Sequence, residues 1–574
     1  MSVPAVATPL ATSISWRERV THPSRATTLA VAVAALVVLA VAIAVIDQYP
    51  VGVVHDDGMY MILAKSLATG HGYRYINLPG EPHATHFPPG YPLLLSLLWR
   101  IGPAFPANVV FFKLVNAVFL AAAAATLALF ARRRLAFSAP AACLTAIAGC
   151  AGIPVLVLSN LVMSETLFLA LLVPSLLYAE TCFGRDETSA REAIALAVIG
   201  GLLMFVRSHG IAFVAAVGLV LLVRRRFRAL AIYAVVAVLF ALPWHFWQSV
   251  YAGGVPAPMR GDYESYGGWF LNGSPAHSIA FIARTIVKQA QTIYAMLFVF
   301  ATSGIPTRVL RHFGTIVTIA LMVAGLISMR RRAPVTALFV CGFLGIIFVW
   351  PFTPARFVWA IWPLLVLLFV AGALVIPRPL REANTPDVIL RPLREAKTSK
   401  DLVAVRSILR VVLAVGAVIT LIGYATYNTR GYKGHWWSSI AREQSATVGP
   451  MIVWLARNTA PTDVIATNSE VMVYLYTGRH TVPATQFLAE DYFTAPTVAD
   501  RAATLRSILQ SYGAGVVAVA QNETLDVAAR SMTAGQDPML VLRDSVPGGL
   551  IFVSTKDSSS HTPTVGAQRP TAEP

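Results

Sequence analysis

The chain has 574 residues, of which 56% are hydrophobic and 13% charged, and its formal net charge is +17. So apolar a balance excludes an ordinary soluble protein and belongs to a chain with many membrane spans. The positive charge does not indicate nucleic acid as a partner, because the arginines stand in short clusters between apolar runs, where cytoplasmic span ends carry them.

A span takes about 20 mostly apolar residues. Residues 1–26, with Arg17, Arg19 and Arg25, read as a cytoplasmic N-terminal segment before a first span at 27–46. That run is too long for a signal peptide and lacks a clear cleavage site, so it reads as a retained anchor. A first outer loop, 47–106, follows. The next span, 107–131, returns inward to Arg132, Arg133 and Arg134. Spans at 139–158 and 166–183 lead to the charged stretch Arg185–Glu192, and spans at 193–206 and 209–223 end at "RRRFR", Arg224–Arg228. A span at 229–246 exits at "PWHFW". In the long outer segment after it, 278–303 is apolar enough to lie in or against the interface. Spans at 313–329, 334–351 and 357–376 lead to a basic cytoplasmic linker, 377–407, in which "RPLREA" occurs twice, at 378–383 and 391–396. It reads as a solvated linker. A last span at 408–424 completes a transmembrane domain over 27–425, with about eleven spans.

From 430 to 556 charged residues return. "DVIATNS" and "AGVVAVAQ" are short, β-branched runs that suit buried strands, while "GPMIVWLARNT" and "ADRAATLRSILQSYG" have helical spacing. The expected fold is therefore an all-α polytopic membrane domain with a small C-terminal α/β domain outside the cytoplasm. A Ser-, Thr- and Pro-rich tail, 557–574, reads as disordered. Cys143, Cys150, Cys182 and Cys341 all fall in or beside spans, so none can staple the outer domain. Asn272 and Asn522 match a glycosylation pattern too common to assign a role.

Asp56 and Asp57 stand at the outer water boundary of the first span. Met59, Ile62, Leu63 and Leu67 after them share one helical face, so the segment is expected to lie along the membrane surface. That geometry would hold a carboxylate over a lipid headgroup; equally, the pair could serve only as helix N-terminal caps.

The polar landmarks recur in order. Asp56-Asp57 with Tyr60, then "GHGY" at 70–73 and "FPPGYPLL" from Phe87, are followed by "SNLVMSETLF" with Glu165, "FVRSHG" with Arg207, "LPWHF" from Leu242 and "PARFVWAIWPLL" with Arg356. This series resembles the GT-C class of membrane glycosyltransferases, in particular the dolichyl-phosphate-mannose protein mannosyltransferases and the bacterial aminoarabinose lipid A transferases. "YLYTGRHTVP" in the outer domain resembles a segment of bacterial members. Several relatives carry an acidic residue and Lys before the double proline, where this chain has His86-Phe87.

The resemblance implies a multi-pass inner-membrane enzyme with a cytoplasmic N-terminus. The donor would be a polyprenyl-phosphate sugar, and the acceptor a hydroxyl of a glycan, lipid or protein outside the cytoplasm. The acceptor must lose a proton as it attacks the anomeric carbon, and Asp56 is the candidate base. Asp57 would orient the acceptor, bind a divalent metal or cap the helix. Arg207 and Arg356, and Lys113 near the outer end of its span, are candidates to hold the lipid phosphate, or else snorkel to the headgroups. Glu165, Tyr60 and His86 are candidates for the acceptor pocket. If a metal takes part, His86 and Asp57 are its candidate ligands, although one His with scattered carboxylates is a weak signature. No soluble-cofactor motif is present. Two rival classes are a polytopic sugar or lipid transporter and a non-catalytic, glycan-binding envelope protein. Transporters show paired internal repeats, which this sequence lacks.

Overall fold

The computed structural model describes residues 24–265, 278–374, 400–534 and 538–555. The duplicated "RPLREA", Asn272 and the tail from 557 lie outside the described residues.

The membrane domain begins with α1 (Arg25–Ala44), whose N-terminus is capped by the Ser24 hydroxyl. The loop helices α2 (Asp56–Ala68) and α3 (Gly90–Ile101) follow, then α4 (Asn108–Leu135), α5 (Ala139–Cys150), α6 (Ile153–Asn160), α7 (Glu165–Phe183), α8 (Ala190–Val206), α9 (Ile211–Val223) and α10 (Phe227–Val250). A short helix, α11 (Arg260–Tyr263), precedes α12 (Ile279–Ala301), α13 (Arg308–Arg332), α14 (Pro334–Val349), α15 (Ala355–Trp359), α16 (Trp362–Ala373) and the long α17 (Lys400–Lys433). Six helices are long and apolar enough to cross a membrane, and α5 with α6 forms a seventh crossing if that bent pair is one span. Three shorter apolar helices accompany them: Ser208–Val223, Pro334–Val349 and Trp362–Ala373. This is a multi-pass membrane protein.

Two expected spans are broken. The run at 139–158 bends by 51° between α5 and α6, where Gly152 is extended and Pro154 offers no N–H to the preceding turn. The run at 357–376 divides into α15 and α16, with Pro363 in the first turn of α16. The segment at 278–303 forms α12, but Lys288, Gln289 and Gln291 in mid-helix keep it out of the span-like set. Elsewhere helices approach to backbone contact: a Cβ on Gly325 of α13 would lie 2.0 Å from the Leu368 carbonyl of α16, the small-residue packing usual within membranes.

The C-terminal domain is built from α18 (Ser439–Asn458), β1 (Val464–Thr467), α19 (Glu470–Thr477), β2 (His480–Pro483), α20 (Val498–Tyr512), β3 (Val516–Ala520), α21 (Glu523–Ser531), β4 (Leu540–Val546) and β5 (Gly549–Ser554). The sheet order is β2-β1-β3-β5-β4. β1 runs parallel to both β2 and β3, whereas β5 is antiparallel to β3 and to β4. β3 is buried along its length, as expected of a central strand read as a continuous apolar run.

The two parts meet over α2. Instead of lying on a surface with one apolar face down, this helix buries every residue from Asp57 to Ala64. The cause is α19, which covers its outward side: a Cβ on Gly58 would stand 2.2 Å from Val471 Cγ1 and 2.6 Å from the Gly52 Cα.

Candidate active site between the helices and the sheet domain

Four charges from well-separated parts of the chain converge at the end of the bundle that carries the sheet domain. Asp56 starts α2, and its Oδ2 accepts from Arg356 Nη2 of α15 at 2.5 Å. Arg356 Nε lies 3.5 Å from Glu165 Oε1 at the start of α7. The same oxygen lies 2.7 Å from Arg207 Nη1, just past the end of α8. Arg207 Nη1 also donates to the Ser164 hydroxyl at 2.9 Å, which is 3.1 Å from the Tyr60 hydroxyl. Glu165 and Arg207 are buried, whereas Asp56 and Arg356 remain partly open. Two carboxylates and two guanidiniums leave this cluster without net charge, and Glu165 ties both guanidiniums together. Burial alone would raise the Asp56 carboxyl, but the Arg356 guanidinium, with His55 beside it, holds it below its ordinary value.

Two cavities meet at the Asp56–Arg356 pair. One, of about 230 Å³, is lined mostly by apolar groups at the level of the helices, including Phe87, Ile211, Ile346 and Trp350, with Arg207 at its edge. The other, of about 570 Å³, lies between the helices and the sheet domain and is lined by His55, His86, Asp262, Phe352, Glu470 and Phe487 among others. Asp56, Trp350, Arg356 and Phe357 border both. Gln289 of α12 holds the wall in place, donating to the carbonyls of Trp350 and Phe352 and accepting from the Tyr492 hydroxyl.

The turn into α2 is strained. His55 has φ 67° and ψ −66°, and the Asp56 N–H donates to the Val54 carbonyl at 2.9 Å. This is a γ-turn of the rare, strained hand, and such strain persists only where surroundings over-determine it. Two contacts do so. The His55 imidazole pairs with Glu470 of α19 at 3.2 Å. Asp57, fully buried, accepts from the backbone N–H groups of Gly52, Val53 and Val54 at 2.8, 3.2 and 3.1 Å. Burial would lower the His55 imidazole, but the carboxylates of Glu470, Asp262, Asp56 and Asp57 hold it above its ordinary value.

Of the residues expected from sequence, Asp56, Tyr60, Glu165, Arg207 and Arg356 are brought together, and His86 lines the larger cavity. The structure places Asp57 behind them, under the turn. Lys113 stands apart, giving its ammonium to Asp47 Oδ1 at 2.7 Å and to the carbonyls of Asp47 and Tyr49, and so pins the exit of α1 to α4. The donor set does not fit a divalent metal. Among the described residues no group of three or more His, Cys, Asp or Glu side chains is placed to hold a metal ion. His86 Nδ1 donates to the Glu264 carbonyl at 2.5 Å, and burial pushes its pKa down to about 4. His55, Asp262 and Glu470 also belong to this site and were not among the expected residues: His55 directly precedes the Asp56-Asp57 pair, but Glu470 in "NSEV" gives no signal of its own.

No protein-family model matches the chain, and no curated protein matches it in sequence. Solved structures do. The crystal structure of ArnT from Cupriavidus metallidurans in the apo state matches with a TM-score of 0.52 at 14% identity, over 92% of this chain and 98% of that one. The same protein bound to undecaprenyl phosphate matches with a TM-score of 0.52 at 14% identity, over 94% and 99%. A looser likeness, TM-score 0.43 at 14% identity over 91% of this chain and 40% of the other, is to the arabinofuranosyltransferase AftD from Mycobacteria. The chain shares the fold of the first of these over nearly its whole length.

Proposed function

We propose that the protein is an integral membrane glycosyltransferase that moves a sugar from a polyprenyl-phosphate donor to an acceptor hydroxyl on the extracytoplasmic side. The observation that carries this reading is the Asp56–Arg356 pair at the meeting point of an apolar cavity and a polar one. A lipid-linked sugar needs such a junction: an apolar lining for the first prenyl units, cations for the phosphate and a carboxylate facing the acceptor. The fold shared with a protein crystallised with undecaprenyl phosphate supports the donor class.

In this reading the donor phosphate settles against Arg207 and Arg356, where charge grows on the leaving oxygen. Its arrival draws Arg356 away from Asp56, whose basicity rises as its partner leaves. The acceptor oxygen then bonds to the anomeric carbon as the bond from that carbon to the phosphate oxygen breaks. The hydroxyl proton passes to Asp56, and the polyprenyl phosphate departs with the electron pair. A single displacement of this kind inverts the anomeric centre. Glu165 positions both guanidiniums, while Asp57 and Lys113 hold the turn and the span beneath it.

A structure of the protein with undecaprenyl phosphate in lipid nanodiscs tests this directly. The phosphate is expected within hydrogen-bond reach of Arg207 and Arg356, with the Asp56–Arg356 contact opened. A phosphate bound away from both arginines overturns the assignment.

A further inference from the structure

The larger cavity also carries information about the acceptor. Besides Asp56 it is lined by two more carboxylates, Asp262 of α11 and Glu470 of α19. Glu470 is only 6% exposed. Its Oε1 receives His55 and the Tyr263 hydroxyl, while its Oε2 carries no hydrogen bond among the described residues. The Asp262 side chain makes no hydrogen bond among the described residues, and burial pushes its pKa up to about 7, so near neutrality it can both accept and donate. Against these carboxylates stand two cationic groups, Arg356 and His55, each already paired with one of them. Arg356 is the sole lysine or arginine among the described lining residues, and Arg501, which acts on Asp262 from outside, donates to the Gln486 carbonyl. The cavity thus has no surplus positive charge for a phosphate. With Asp262 protonated it has no surplus negative charge for an amine. Its opposite wall is aromatic: Trp350 and Phe352 lie nearly parallel at 6.0 Å, and Phe487 from the sheet domain follows Phe352 at 4.7 Å.

We infer that this cavity binds an uncharged, polyhydroxylated carbohydrate as acceptor and discriminates against phosphate-bearing ones. The apolar C–H face of a sugar ring lies on Trp350, Phe352 and Phe487, and its hydroxyls bond to Glu470 Oε2 and Asp262, leaving one hydroxyl toward Asp56. A phosphate ester in the same place meets the Glu470 carboxylate and a partly ionised Asp262, with no free cation to offset its desolvation, a penalty of at least about tenfold in preference at the effective dielectric of a protein cavity. The acceptor role rests on the transferase reading above; the charge selectivity of the cavity does not.

Two measurements separate the two. In nanodiscs, thermal stability is followed with millimolar methyl hexopyranosides, their 6-phosphate esters and their 2-amino-2-deoxy analogues. In proteoliposomes, the same compounds are offered as acceptors with a pool of polyprenyl-phosphate sugars. The neutral glycosides are expected to stabilise the protein most, and to accept sugar at least about tenfold faster than the phosphate esters. Asp262→Asn combined with Glu470→Gln is expected to narrow that ratio to within about threefold. Asp262→Asn alone, which breaks no side-chain hydrogen bond among the described residues, is expected to narrow it in the same direction. Equal or better use of the phosphate ester, a preference for the amine, or an unchanged ratio in both variants overturns the inference. If no donor is consumed while the binding preference holds, the transferase reading fails and the selectivity stands. If donor is consumed without preference for neutral acceptors, the reverse is true.

Discussion

Glu165 is the buried centre of the site, and replacing it with Gln changes its charge and almost nothing of its shape. Its Oε1 lies 2.7 Å from Arg207 and 3.5 Å from Arg356, and its side chain is fully buried. At an effective dielectric of about 20 those separations correspond to gross attractions of roughly 6 and 5 kcal/mol. Most of that offsets desolvation, and breaking a buried pair by removing one partner costs about 3–5 kcal/mol. Glu165→Gln is therefore expected to destabilise the protein by about that amount, seen as a lower thermal midpoint in nanodiscs. Undecaprenyl phosphate binding should move the other way. With the neutralising carboxylate gone, the guanidiniums are expected to bind it about tenfold more tightly, or about 1.4 kcal/mol. Turnover should still fall by about 10²–10³, because Arg356 is no longer held where charge develops. Arg207→Ala, by contrast, should weaken phosphate binding. If Glu165→Gln weakens that binding as Arg207→Ala does, or leaves stability unchanged, Glu165 is not what holds the two arginines.

Other consequences concern protons and packing. Asp56 must be ionised to act, and Arg356 holds its carboxyl below its ordinary value; wild-type kcat/KM should thus show no Asp56 limb above the usual carboxylate range. In Arg356→Ala burial prevails and the acid limb should move upward, and a pH profile of equal shape in both proteins contradicts this. The His55 imidazole is raised in the folded state, so the stabilisation from its pairing with Glu470 is full below about pH 6.5 and lost as pH rises through the folded value. Hydrogen exchange in α2 and α19 should accelerate across that window in wild type but not in Glu470→Gln; identical profiles refute the pairing. Gly58→Ala drives a methyl group to 2.6 Å from the Gly52 backbone and 2.2 Å from Val471. It should cost about 1–3 kcal/mol and loosen the sheet domain, measured as faster proteolysis between the domains. Proteolysis at the wild-type rate would mean that α19 does not cover α2.

The charged members of the site were legible as sequence because a charge at the end of an apolar span is expensive and therefore conspicuous. Asp56, Glu165, Arg207 and Arg356 stand out for this reason, and so does Lys113. Their pairing was not legible. Nothing local tells that Glu165 faces two arginines while Lys113 faces Asp47, since those partners are fixed by how helices cross. The strands at 464–467 and 516–520 were readable from β-branched runs, whereas the covering of α2 depends on Val471, more than 400 residues along the chain. For the same reason Glu470 and Asp262 were invisible: each is an ordinary acidic residue until the sheet domain and α11 enclose it beside His55. The break at Gly152 and Pro154 could have been read from the dipeptide geometry that "GIP" imposes, but the apolar run around it concealed the signal.

The central claim is that a carboxylate at the junction of two cavities takes the acceptor proton while a lipid phosphate leaves. It is tested most directly by measuring free polyprenyl phosphate released from a mixed pool of polyprenyl-phosphate sugars, in proteoliposomes supplied with an envelope glycan extract, for wild type and Asp56→Asn. Wild type is expected to consume one donor and form an inverted glycoside, while Asp56→Asn does so at least about 10²-fold more slowly. Equal rates in the two proteins, or consumption of no donor by wild type, would contradict it.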